Sequence, residues 1–248
     1  MRIVQMTDLH IDLEDSFPFD IDVRNNFRQI LEAALSFKPD HLVVTGDLCY
    51  RDGDEAIYEW IFDQLDQQPV PFDILAGNHD DAGMMAKIFQ RSHLLNEGEF
   101  YYARKLGKNH CLFLDSARGQ HSPQQLKWLE RQLRQANAPV IVFMHHPPAK
   151  AGVPFMDNKY PLQDIEAVQK VFFNHPHPIN VYCGHYHVAK TITINNLTIQ
   201  ITPSCFFQID QQHEDFKVDH HRVAFRIIDI DKDCIFSTLR YLEGVKQE

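Results

Sequence analysis

Five short stretches of this chain end an apolar run with residues that bind metal ions or move protons. They are MTDLH (Asp8, His10), TGDL (Asp47), AGNHD (Asn78, His79), FMHHPP (His145, His146) and CGHYH (His185, His187). In open α/β sheets, ligands bind beyond the carboxyl ends of strands, so residues placed there by several strands can converge. Singly, each stretch has an ordinary reading: Asp8-x-His10 as a capped turn, Gly46-Asp47 as a strand-to-helix connection. The pair His185 and His187 says more, because alternate residues of extended chain share a side. Five such stretches in one chain point to a common site.

Seven candidate ligands, Asp8, His10, Asp47, Asn78, His145, His185 and His187, are too many for one tetrahedral zinc. They suit two five- or six-coordinate ions sharing a carboxylate. Imidazole mixed with carboxylate oxygen fits Mn, Fe or Zn better than Mg or Ca, and no cysteine in the set demands a softer metal. The expected cofactor is therefore two divalent or mixed-valence transition-metal ions, Mn or Fe first, with Zn as a third option. Two such ions about 3.5–4 Å apart clamp an in-line displacement at phosphorus, supplying a hydroxide nucleophile and neutralising charge. Only two carboxylates, Asp8 and Asp47, offset them, so the pocket stays net positive; a neutral Asn78 preserves that charge where an aspartate would diminish it. His79 then separates from the ligands. A departing alkoxide needs a proton, and imidazole is the usual side chain to supply one.

The elements that must position these residues follow from patterning. Nearly continuous apolar runs at 3–6, 42–44, 112–114, 140–144 and 179–182 read as strands buried on both faces, and 72–75 is strand-like before the AGNHD turn. Val23, Phe27, Ile30, Leu31, Ala34 and Leu35 share a helical face, and a second helix opens with Ser122 as N-cap, Pro123 and a capping-box Gln125. This alternation predicts an α/β domain. Beyond about residue 188 the pattern turns mainly antiparallel β, with a hairpin about Asn195-Asn196 and strands at 223–230 and 235–241. No linker or repeat divides the 248 residues, so one domain over 1–248 is expected.

Composition sets the outer bounds. With 44% hydrophobic and 23% charged residues the chain has ordinary globular values. A formal charge of -10 disfavours nucleic acid as a partner, since phosphate backbones call for excess Lys and Arg. Neither a signal-like N-terminus nor an apolar run of membrane-spanning length stands out, which leads us to expect a cytoplasmic protein without a membrane partner. The five cysteines are widely spaced and expected to be reduced and mostly buried.

In this order the blocks Asp-x-His, Gly-Asp, Gly-Asn-His-Asp, a His after a strand and Gly-His-x-His resemble the calcineurin-like metallophosphoesterase superfamily over residues 8–187. The resemblance implies a four-layer α/β/β/α sandwich with mixed sheets. It implies Asp8, His10, Asp47 and His187 at one metal, and Asp47 as bridge with Asn78, His145 and His185 at the other, with His79 beside the leaving group. Leu114-Asp115-Ser116, the SPQQLKWLERQL helix, MHHPP and ITPSC look most like class III cyclic nucleotide phosphodiesterases of the bacterial 3',5'-cyclic AMP type. A protein phosphatase would continue its Gly-Asp block into Asp-Arg-Gly, which is absent.

The expected reaction is hydrolysis of a phosphodiester, cyclic AMP to AMP first, by attack of a metal-bridging hydroxide on phosphorus. The nearest alternative is a broader phosphodiesterase or pyrophosphatase acting on 2',3'-cyclic nucleotides, glycerophosphodiesters or nucleotide sugars; a non-catalytic scaffold of the same fold is a third. Asp52 and Asp80 are the carboxylates available to orient His79, and Asp52 stands one residue beyond the family's usual acidic position. His146 could support the ligands, face substrate or orient its loop. The acidic stretch 12–22 reads as a surface loop or pocket rim, and 211–221, with three histidines, as an exposed loop. Phe155, Tyr160, Phe206 and Phe207 could stack on a base, or serve as core and turn packing. Oligomeric state is not legible in the sequence.

Overall fold

Two mixed sheets organise the computed structural model, which describes residues 1–232 and 234–246. The first sheet is built on the parallel strands β1 (Arg2–Met6), β2 (His41–Thr45) and β3 (Phe72–Leu75). Its order is Cys234–Leu242, Val223–Asp231, β1, β2, β3, the two C-terminal strands running antiparallel. The second sheet is ordered Lys190–Ile194, Leu197–Ile201, Ile179–Cys183, Val140–Met144, Asn109–Leu114, Tyr102–Leu106. Its four central strands are parallel and its two edges antiparallel. The part of the chain after residue 188 therefore supplies strands to both sheets. One of them, Leu197–Ile201, runs parallel to Ile179–Cys183, a departure from the otherwise antiparallel C-terminal pattern.

The sheets face each other. A ladder of rings, Tyr102, Phe113, Phe143 and Tyr182, stacks across neighbouring strands of the second sheet at centroid spacings of 4.5, 5.2 and 5.7 Å. The hydroxyl of Tyr102 donates across to the Ile74 carbonyl on β3. Buried Gln5 of β1 donates to the Cys183 carbonyl, and Thr202 donates back to Gln5. Arg226, 4% exposed, donates to Thr202, Gln200 and the Ile201 carbonyl. Burial pushes its pKa down to about 10, which still leaves it charged at neutral pH and satisfied by acceptors from the facing sheet.

Helices close the outer faces. α1 (Val23–Ser36) starts where Asp22 accepts the Asn25 amide and buries Val23, Phe27, Ile30, Leu31 and Ala34 against the first sheet. α2 (Glu55–Asp66) and α3 (Ala82–Ile88) lie between the strands of that sheet in sequence, capped by Asp54 and Asp81. α4 (Pro123–Gln135) packs with α6 (Ile165–Phe173) beside the second sheet, and α5 (Pro154–Lys159) is a short turn between them. The result is the four-layer mixed α/β sandwich. Ser122 caps α4 as expected, accepting the Gln125 amide. Gln125 does not complete a capping box: its side-chain amide instead pairs with both backbone groups of Asp115. No helix among the described residues is long and apolar enough to cross a membrane.

Candidate metal centre

Every block singled out in the sequence sits just past the carboxyl end of a parallel strand. Asp8 and His10 follow β1, Asp47 follows β2, and Asn78 and His79 follow β3. From the second sheet, His145 follows Val140–Met144, and His185 with His187 follow Ile179–Cys183. The loops after β1 and β2 run side by side, the amides of Asp8, His10 and Ile11 donating to the carbonyls of Gly46, Asp47 and Leu48. Asp8, His10, Asp47, His185 and His187 all have left-handed backbones, with φ of 53, 47, 50, 65 and 50°. Non-glycine residues rarely adopt this region, and such strain gathers at sites where neighbours over-determine the geometry.

The side chains converge in three overlapping sets of potential ligand atoms within mutual reach: Asp8, His10 and His187; Asp47, His145 and His185; and, linking these two, His10, Asp47 and His79. Asp47 Oδ2 lies 3.7 Å from His10 Nε2 and 3.3 Å from His145 Nε2, so one carboxylate faces both groups. His187 Nε2 is 3.4 Å from Asp8 Oδ1 and 3.0 Å from His10 Nε2, while Asn78 Oδ1 is 3.3 Å from His145 Nε2.

The outward ring nitrogens are tied to backbone carbonyls: His145 Nδ1 to Thr45, His187 Nδ1 to Phe207, His185 Nε2 to Tyr160, at 2.9 Å each. A carbonyl only accepts, so those nitrogens carry the proton and the opposite nitrogen of each neutral ring keeps its lone pair. This is the arrangement by which proteins fix the tautomer of a metal-binding imidazole. Nitrogen and carboxylate donors without a thiolate suit a first-row transition metal, so the residues present fit two such ions.

Electrostatics agree. Burial alone would raise the pKa of Asp8 and Asp47, yet neighbouring histidines, His187 for Asp8 and His145 for Asp47, hold both below the usual carboxylate range. Burial pushes His10 down to about 3 and His185, also facing His145, down to about 4, so both rings are neutral with lone pairs available. His145 is the exception: Asp47 outweighs burial and raises its pKa to about 9, so in the metal-free chain its ring carries a proton that a bound ion would have to displace.

His79 stands apart. Its ring meets His10 edge-on at 5.1 Å and comes within reach of Asp47, but Nδ1 pairs with the Arg51 carbonyl at 2.8 Å on the open side. Neither carboxylate considered for orienting it does so. Asp52 is exposed, and Asp80 serves another purpose: its carboxylate accepts the amides of Leu48, Cys49 and Gly77 and the Tyr58 hydroxyl. Asp80 thus fastens the loop carrying Asp47 to the loop carrying Asn78. Burial and the nearby Asp47 raise its pKa to about 6.

His146 packs its ring on His185 at 4.0 Å and pairs through Nδ1 with Ser116 Oγ, 3.1 Å away, so it braces a candidate ligand. Cys49 is buried and its pKa is pushed up by burial and Asp80, which leaves no thiolate near Asp47. All cysteines are free, Cys234 alone being exposed. Among the described residues, His213, His220 and His221 join none of the metal-competent clusters; His213 pairs with Asp210.

A cavity of about 490 Å³ opens over the two groups. Phe206, Phe207, Phe155 and Tyr160 line it. Three aromatic residues that patterning did not bring to the site, Phe19, Tyr50 and Phe216, complete the rim. Their approach is a tertiary event: Phe19 comes from the loop 12–22 and Phe216 from the hairpin of Gln208–Ile209 and Val218–His220.

Residues 1–189 match the calcineurin-like phosphoesterase family. A probable cyclic nucleotide phosphodiesterase of Fibrobacter succinogenes is 34% identical over 229 residues, covering 92% of this chain and 89% of the relative. The 3',5'-cyclic adenosine monophosphate phosphodiesterase CpdA of Escherichia coli is 26% identical over 249 residues, covering 96% and 88%. In fold, the chain is similar to a dimetal phosphatase of Danio rerio, with a TM-score of 0.76 at 14% identity over 98% of this chain and 97% of that one.

Proposed function

The chain belongs to the calcineurin-like phosphoesterase family, and from that premise we propose that it hydrolyses a 3',5'-cyclic nucleotide, cyclic AMP first, at the centre built around Asp47. The observation that carries this reading is that Asp47 Oδ2 faces both His10 and His145 and so joins the two ligand groups, with His79 within reach of the same carboxylate. Family members use a dimetal centre. In this chain Asp8, His10, Asp47 and His187 would hold one ion, and Asp47, Asn78, His145 and His185 the other; native Mn, Fe or Zn would each suit these donors. Such a pair supplies an activated water and neutralises charge on the phosphodiester.

The chain's own residues do the rest. The reaction adds water and breaks the bond from phosphorus to the ribose 3' oxygen, which must leave with a proton. With Nδ1 donating to the Arg51 carbonyl, Nε2 is the ring nitrogen left facing the site, and it can deliver that proton once the ring has taken one up. Cyclic AMP is chosen over glycerophosphodiesters, 2',3'-cyclic nucleotides and nucleotide sugars because relatives over most of the chain's length are named for cyclic nucleotides.

The test is kcat/KM of the metal-reconstituted protein across those four substrate classes. Cyclic AMP should rank first; a value far below the others sinks the substrate choice. Fewer than about one metal per chain, with no hydrolysis of bis(p-nitrophenyl) phosphate, would favour a non-catalytic scaffold.

A further inference from the structure

The rim of the cavity contains a residue in a conformation its type avoids. Phe19, in the short turn Pro18–Asp20, has φ 57° and ψ 29°, and Asp20 follows at φ 59°. Bulky side chains with positive φ are outliers, and residues so placed persist where the surroundings over-determine them, ligand clamps among them. Here the strain sends a phenyl ring over the cavity, where it stays 48% exposed. Phe19 packs on Phe207 at 5.0 Å, on Phe206 at 5.8 Å and on Phe216, itself 44% exposed, at 5.9 Å. Phe206 in turn touches His10, and Phe207 touches His187, both at 5.3 Å. Phe19 and Phe216 therefore stand one aromatic layer out from the imidazoles, about where the base of a nucleotide falls when its phosphate lies on the metal groups.

What lines this rim also limits what it can recognise. Among the described residues no Lys or Arg lines the cavity, and outside the metal groups and His79 its polar side chains are those of Tyr50 and Tyr160. A glycerol group would find few polar side chains to pair with, whereas every nucleobase has a π-face that stacks on an aromatic ring. We propose that Phe19 and Phe216 form the platform on which the substrate's base stacks, so that the enzyme recognises a base by its face and discriminates weakly between bases. This deepens the cyclic-nucleotide reading above and rests on it.

The test compares kcat/KM of the metal-loaded enzyme for cyclic AMP, cyclic GMP and ribose 3',5'-cyclic phosphate lacking a base. Phe19→Leu keeps apolar volume but removes the ring face. The ratio of cyclic AMP to the abasic compound should fall about 5- to 150-fold, the range for losing one stacked base, and Phe19→Tyr should restore most of it. Cyclic AMP and cyclic GMP should differ by less than about tenfold. An unchanged ratio in Phe19→Leu and Phe216→Leu overturns the platform, as does Phe19→Tyr failing as badly as Phe19→Leu. A change of oligomeric state in these variants with the ratio intact also overturns it, and assigns the patch to self-association. Calorimetry of AMP against ribose 5-phosphate separates the two readings: Phe19-dependent preference for AMP in an enzyme that turns over no cyclic nucleotide supports the platform while the substrate reading fails.

Discussion

Gly77→Ala should damage the candidate metal centre without replacing a candidate ligand. A Cβ built on Gly77 overlaps Asp47 Oδ1 and the Asp47 amide nitrogen and stands 2.9 Å from Asp47 Cγ. Carbon contacts relax near 3.5–4.0 Å, so the loop must retreat by roughly 1 Å. That retreat pulls on the His79 amide, 3.0 Å from Asp47 Oδ1, and on the Gly77 amide, 2.9 Å from Asp80 Oδ2. Overpacking of this kind costs about 1–3 kcal/mol. Disturbing the partners that orient a ligand costs about 10- to 100-fold in metal affinity, and a 1 Å misplacement can cost about 100-fold in rate. Metal content after dialysis at limiting Mn, thermal unfolding and kcat/KM should be read together, because a folded protein with depleted metal is the expected result. Gly83→Ala is the control: its Cβ meets nothing closer than 3.4 Å, within a helix that should gain about 0.5–1 kcal/mol. Full metal occupancy and full activity in Gly77→Ala would refute the claim that this loop is packed against Asp47 to set its geometry.

Three further predictions follow from the same geometry. Asn78→Ala should lower metal occupancy, whereas His79→Ala should retain metal and lose roughly 10²- to 10⁴-fold in kcat; an emptied site in His79→Ala would make His79 a ligand. Asp80→Asn relieves repulsion with Asp47 but turns an amide NH₂ toward three backbone donors and a hydroxyl, so urea unfolding at pH 7 should show a net loss of about 1–3 kcal/mol, and equal stability would mean the clamp is dispensable. At Asp164, burial would raise the pKa, but the hydrogen bond and charge of His121 hold it below 3.8, so its contribution to stability is present above 3.8 and lost as pH falls through the lower folded value. The gap in urea midpoint between wild type and Asp164→Asn should therefore close on acidification, and a gap that widens contradicts the sign.

The candidate ligands and His79 were legible because each sits within four positions of a strand end, and a strand of four or five mostly apolar residues announces itself locally. The hairpin at Asn195-Asn196 was legible for a similar reason: Asn195 has φ 50° and the register pairs Ile194 with Leu197. What escaped depends on contacts far apart in sequence. Nothing local distinguishes the partners of Asp80, which are 22 to 32 residues away apart from Gly77, from those of any loop aspartate. Tyr102–Leu106, an edge strand with three exposed residues in its middle, carries no continuous apolar run. Phe19 lay in a stretch whose acidic composition suggested solvent, and its positive φ is invisible without the backbone. Gln125 matched the capping-box spacing, yet Asp115, brought alongside by the second sheet, claimed its side chain.

Charge connects the two halves of the site. The protein carries a formal charge of -10, Asp8 and Asp47 are held ionised, and among the described residues no Lys or Arg lines the cavity. A phosphate approaching the bare protein would meet two carboxylates with little to offset them but His145. The aromatic rim, by contrast, needs no ion to stack. Affinity for phosphate and affinity for base should therefore separate on chelation: in the metal-loaded protein AMP should bind at least about tenfold better than adenosine, the scale of a charge-assisted contact, and removing the metals should erase that advantage while adenosine itself binds much as before. If AMP kept its advantage over adenosine after chelation, some other group would have to hold the phosphate, and the neutral candidate ligands Asn78, His10 and His185 would lose the electrostatic reason given for them.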